Sequence, residues 1–171
     1  MSLYQAAVPP FMQQLQALSG VLDKAEAHAA AKKIDPAVLL GARLFPDMFA
    51  FTRQVQLVTD FAKGASARLA GLEVPSYEDT EKTFAELKAR VRKTLDFLQS
   101  LKPAQIDGSE ERDIEIKIGG KPVTFKGQVY LVNFALPNFY FHATTAYAIL
   151  RHNGVELGKR DFVGTVPGFR V

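Results

Sequence analysis

The stretch LVNFALPNFYFHATTAYAILRHNG, Leu131 to Gly154, decides how the rest of the chain must be arranged. It lies mostly within an uncharged run, because from Gly127 to Leu150 there is no Lys, Arg, Asp or Glu. A helix that is apolar nearly all round has to be covered on several sides. Asn133, Asn138, His142, Thr144 and Thr145 interrupt the apolar residues, and polar groups in a covered helix need partners. The segment therefore predicts either the centre of a helical bundle with a polar pocket or a subunit contact. Its length would suffice for a membrane span. The asparagines, the histidine and Pro137 near its middle are costly in lipid. A buried central helix is the expectation.

Three further helices are written upstream as three-four stripes of apolar residues. The first carries Phe11, Leu15, Leu18, Leu22, Ala25 and Ala29, with Pro9 and Pro10 either beginning it or kinking it. Asp35-Pro36 opens a short segment that leads into the second long helix. That helix is expected from Pro46 to about Leu69, on the stripe Met48, Phe51, Val55, Val58, Ala62, Ala65 and Leu69. Gly71 and Pro75 stop it. The third is expected to begin near Ser76 to Thr80, with Glu78, Asp79 and Glu81 at its positive end. It carries Phe84, Leu87, Val91, Leu95 and Leu98 and ends at Lys102-Pro103.

Between the third and fourth helices the period changes from helical to alternating. Ile114, Ile116 and Ile118 alternate with charged residues, Gly119-Gly120 follows, and Val123 and Phe125 resume the alternation. This predicts a two-strand hairpin over about 113–125. Residues from about 154 to 171 read as an irregular tail. The expected class is all-α: one four-helix-bundle domain spanning 1–171, with a small hairpin insertion.

At 171 residues and a net charge of +3, with basic and acidic residues interspersed, the chain has no footprint for nucleic acid. Its densest basic run, Lys88, Arg90, Arg92 and Lys93, reads as a solvated helix face. The absence of cysteine excludes disulfides and thiolate chemistry. No basic segment followed by an apolar one marks the N-terminus as a signal peptide, so a cytoplasmic location is expected.

Candidate chemistry centres on the fourth helix, where Asn138 and His142, four residues apart, share a face. On the second helix Asp47 and Gln54 are seven apart and also share a face. If the two helices meet, Asp47, Gln54, Asn138 and His142 converge, with Phe51 and Phe141 beside them, in a small-molecule pocket. His142, Asn138 and Asp47 are the residues that could hold a divalent ion there. The bland alternative is a single internal histidine satisfied by one hydrogen bond. His152, in the last turn, suits the helix dipole, and His28 reads as surface. Phosphate-binding glycine loops, nucleophile elbows and paired carboxylates are missing from the sequence. Phe134, Phe139, Tyr140, Phe141 and Tyr147 point several ways around the fourth helix, more than one core can cover, which predicts a homodimer.

LFPDMFAFTRQVQLVTDFAKGASARLAG and LPNFYFHATTAYAILRHNGVELGKRDFVG resemble a bacterial family of unknown function within the DinB/YfiT-like metalloenzyme superfamily. The resemblance runs over essentially the whole chain. It implies an up-down-down-up four-helix bundle, commonly dimeric. It also implies a divalent metal, typically nickel or zinc, held by one histidine of the second helix and two of the last, four apart. Some relatives are thiol-dependent transferases, so the resemblance also implies a metal-dependent enzyme of transferase or hydrolase type. Asn138 and His142 fall on the last-helix pair, and only the second is histidine. Gln54 or Asp47 falls where the second-helix histidine would be.

Overall fold

The computed structural model describes residues 1–168. Its longest helix, α1 (Leu3–Lys32), starts three residues from the N-terminus because Ser2 and Gln5 form a reciprocal capping box. Pro9 and Pro10 lie inside it rather than at its start. The helix continues through them because Ala7, Val8, Phe11, Leu15, Leu18, Leu22 and Ala25 are buried along one side. A short α2 (Pro36–Gly41) follows, capped by the Asp35 carboxylate on the Ala37 N–H.

The second long helix, α3, runs Phe51–Leu69, five residues shorter at its start than the pattern predicts. Residues 44–48 turn instead: the Met48 N–H bonds the Phe45 carbonyl, and the Arg43 guanidinium donates to the carbonyls of Pro46 and Met48. The stripe Phe51, Val55, Val58, Ala62, Ala65 and Leu69 is fully buried. After a long irregular strap, α4 (Phe84–Ser100) begins at a Thr83–Glu86 capping box, later than expected. Glu78, Asp79 and Glu81 therefore lie in the strap and not in the helix's first turn. A one-turn α5 (Pro103–Ile106) leads to the hairpin.

Strands β1 (Asp113–Ile118) and β2 (Lys121–Lys126) pair antiparallel, with Ile114 opposite Phe125 and Ile116 opposite Val123. Gly119 and Gly120 both have positive φ, +57° and +79°, as the tightest hairpin turn requires. Gly127 is needed for another reason: a Cβ there would sit 2.0 Å from the Ser109 carbonyl oxygen.

The uncharged stretch is helical from Gly127 to His152 but is not one α-helix. α6 (Gly127–Val129) gives way to a π-helical turn at Tyr130–Ala135, and α7 (Leu136–His152) completes it. Pro137 accounts for the change. It has no N–H for the Asn133 carbonyl and its ring crowds that oxygen. The backbone widens so that the Leu136 N–H reaches Leu131, five residues back. The tail is not wholly irregular: α8 (Lys159–Val163) folds back on α1, where Gln13 and Gln14 donate to the carbonyls of Val163 and Phe162.

Candidate functional site

One pair of polar side chains bridges α3 and α7. His142 Nδ1 lies 2.8 Å from Gln54 Oε1, and both residues are buried. Gln54 Nε2 donates to the Phe49 carbonyl at 3.2 Å, which leaves its oxygen as the acceptor. The imidazole proton therefore sits on Nδ1, and Nε2 keeps its lone pair. Phe61 stacks on the ring at 5.6 Å and Phe141 meets it edge-on at 5.3 Å. The ring is thus a neutral, oriented hydrogen-bond acceptor.

Burial first, and then the nearby Arg53 charge, hold the His142 pKa below the ordinary histidine value. In the unfolded chain the ring takes up its proton near pH 6.5, before the folded one does. Stability from the neutral ring is therefore complete above about pH 6.5 and is lost as pH falls through the folded value. The melting temperature should drop as pH falls below about 6.5, with a shallower slope in His142→Phe, as measured by thermal denaturation. Equal slopes would contradict the buried neutral ring.

The remaining candidates do not close around this pair. Asn138 donates its amide to the Phe134 carbonyl at 2.8 Å, an acceptor in the neighbouring π-helical turn. Asp47 is exposed in the turn before α3. Phe51 is fully buried 6.3 Å from the Phe84 ring, a core residue and not a pocket wall. Thr145 bonds the Phe141 carbonyl, and Asn133 and Thr144 are exposed. Among the described residues no three His, Asp or Glu side chains are grouped to hold an ion. One imidazole and one neutral amide do not fit a three-histidine centre.

Beside the pair lies an exposed apolar face. Leu44, Phe45, Phe49, Tyr140 and Phe141 are all more than a third exposed, Phe141 at 57%. Leu44, Met48, Tyr140, Phe141, Thr144 and Ala148 line an open groove of about 520 Å³ on it. Phe139, by contrast, is fully buried, edge-on to Phe11 at 4.7 Å. The central helix is therefore covered on part of its circumference only.

Sequence reading missed the densest polar cluster. Arg90, which reads as part of a solvated run, has a side chain 2% exposed. It donates to Thr59 Oγ1, the Glu78 carbonyl, Glu81 and Asp60, pairs with Asp79 at 3.0 Å, and lies over the Tyr77 ring. These contacts tie the strap before α4 to α3. Arginine opposite the acidic trio Glu78, Asp79 and Glu81 is the only signal that could have found it. A cleft of about 540 Å³ lies beside this cluster, lined in part by Arg90 and Glu81, which are paired with each other at 3.0 Å.

A mostly helical chain with a small antiparallel hairpin is consistent with a DinB-like helical fold. The chain matches the profile of the Domain of unknown function (DUF1993) family over residues 3–163, and it belongs to that family. It is similar to a crystal structure described as a DinB family member from Shewanella denitrificans. The two are 42% identical, with a TM-score of 0.87, over 99% of this chain and 96% of that one. No curated protein matches. Among the described residues no helix is long and apolar enough to cross a membrane.

Proposed function

We propose that this DUF1993 protein is a cytoplasmic small-molecule-binding protein, one domain with the up-down-down-up bundle that the resemblance implies. Its binding centre is the Gln54–His142 pair between α3 and α7, at the place where the family resemblance implies a metal position. The observation that carries this reading is the orientation of His142 by Gln54. A buried glutamine that fixes the ring's tautomer leaves one directional acceptor, Nε2, suited to a ligand's N–H or O–H. A metal would need further strong ligands, and Asn138 and Asp47 are turned to other partners or to solvent.

Two measurements on the purified protein test it. Metal analysis without chelator should give substoichiometric zinc and nickel, unchanged by His142→Ala. In NMR, small hydrogen-bond donors such as phenol or imidazole should shift the His142 ring signals. One equivalent of metal that disappears in His142→Ala would overturn the reading in favour of a metal-dependent transferase or hydrolase.

The exposed groove lined by Leu44, Met48, Tyr140, Phe141 and Ala148 favours a second, compatible reading, a homodimer. Contiguous apolar surface of this kind commonly marks a protein–protein contact. A second copy seated there would close over Phe141, which touches the His142 ring.

A further inference from the structure

A second cleft, of about 240 Å³, lies between α3, β1 and the π-helical turn. Leu57, Phe61, Ile116, Tyr130 and Phe134 give it apolar walls, and Asp60, Arg68 and Lys117 bring charge to it. The aromatic walls are packed on one another: Phe61 is 6.1 Å from Phe134, and Phe134 is 5.9 Å from Tyr130, nearly parallel to it. The charges are unequal in status. Asp60 is already paired with Lys63 at 2.9 Å and Arg90 at 2.8 Å. Among the described residues neither Arg68 nor Lys117 has a carboxylate within ion-pair distance. The cleft is therefore left with two uncompensated cations.

Arg68 is also placed, not loose. Its Nη1 donates to the Tyr130 hydroxyl at 3.1 Å. It reaches that position by lying back over Gly64, where a Cβ would stand 2.7 Å from Nη1. Glycine inside a helix weakens it, so the gap at Gly64 is a concession that keeps the guanidinium against the cleft. The π-helical turn sets the opposite wall, and such turns recur at functional sites.

We propose that this cleft binds a small aromatic carboxylate. The carboxylate sits on the free N–H groups of Arg68 with Lys117 nearby, a pairing to which the guanidinium fork is matched. The flat ring lies against Phe61 and Phe134. The volume falls below the roughly 300–1,000 Å³ of pockets that hold drug-sized ligands, which limits the guest to about the size of benzoate. This site is separate from the Gln54–His142 pair. Phe61 stands between the two, with His142 stacked on it.

Titration with sodium benzoate, followed by NMR of the aromatic side chains, tests the proposal. Wild type should show saturable shifts at Tyr130 and Phe134, and benzyl alcohol, which lacks the charge, should bind at least about tenfold more weakly. Gly64→Ala pushes the guanidinium off the cleft without removing it. That variant should lose benzoate binding at least about tenfold while melting no lower than wild type, because alanine is the better helix residue. Arg68→Lys keeps the charge but not the fork and should bind several-fold more weakly, which provides a second variant. Absence of saturable shifts at about 10 mM, weak even for a fragment, would overturn the proposal. So would binding unaltered in both variants, or inorganic phosphate binding as tightly as benzoate. Shifts confined to His142 would instead assign the ligand to the other site.

Discussion

Replacing Arg90 with methionine should destabilise the protein by about 3 kcal/mol, the largest loss expected from any single charged side chain here. The size follows from what is left behind. Removing one partner of a buried ionic cluster typically costs about 3–5 kcal/mol, because the remaining charges stay desolvated without their counterion. Glu81, 11% exposed, and Thr59, fully buried, would be the groups stranded. Several partners soften the loss: Asp60 keeps Lys63, Asp79 keeps Arg53, and Glu81 keeps the Gln56 amide. That places the effect at the lower end of the range. Arg53→Met, in a pair 36% and 42% exposed, should cost no more than about 1 kcal/mol. Urea denaturation of both variants checks the contrast. Amide hydrogen exchange should show the strap over 71–83 opening first in Arg90→Met. Equal, small losses in the two variants would mean that the cluster does not hold the strap.

The second large effect separates two aromatic residues only two positions apart. Phe139→Ala should cost about 3–5 kcal/mol, as removal of a fully buried ring from a close-packed core does. Phe141→Glu should leave the denaturation midpoint nearly unchanged, because that ring is 57% exposed and, among the described residues, its one aromatic neighbour is His142. Its effect should appear in sedimentation, where wild type runs as a dimer at micromolar concentration and Phe141→Glu as a monomer. A monomeric wild type would remove the homodimer reading. A Phe141→Glu variant that unfolds would show the ring to be core.

Much of the fold could be read from residue order, since a three-four stripe has one physical meaning whatever surrounds it. Of the stripe expected on one face, Phe51, Val55, Val58, Ala62, Ala65 and Leu69 are all buried, whereas Met48 lies in the turn before α3 and is only partly covered. The hairpin was equally legible, because alternating isoleucines and a Gly-Gly turn have few other uses. What could not be read depends on partners distant in sequence. Arg90 looks like its neighbours Arg92 and Lys93 until the strap brings the carboxylates of Asp79 and Glu81 over it. Asp47 reads as helical because Pro46 is a good first-turn residue, yet Arg43 takes the carbonyls around it and stabilises a turn. The Gln54–His142 contact spans 88 positions and lies on predicted faces. Asn138 lies on a predicted face too, but is drawn to its own helix by the neighbouring π-helical turn. Pro137 carried the warning of that turn in plain sight.

The widened turn at Tyr130–Ala135 also has a rotary consequence. Each residue of an α-helix advances about 100° around the axis, so the wider turn amounts to one surplus residue of phase. Everything before it, the hairpin junction at Gly127 included, is set at an azimuth that an unbroken α-helix would not allow. Excising one residue between Tyr130 and Ala135 would restore regular winding and swing the Tyr130 hydroxyl around the axis, away from Arg68. The surplus residue thus acts as a dial that aligns the hairpin end of the molecule with α3.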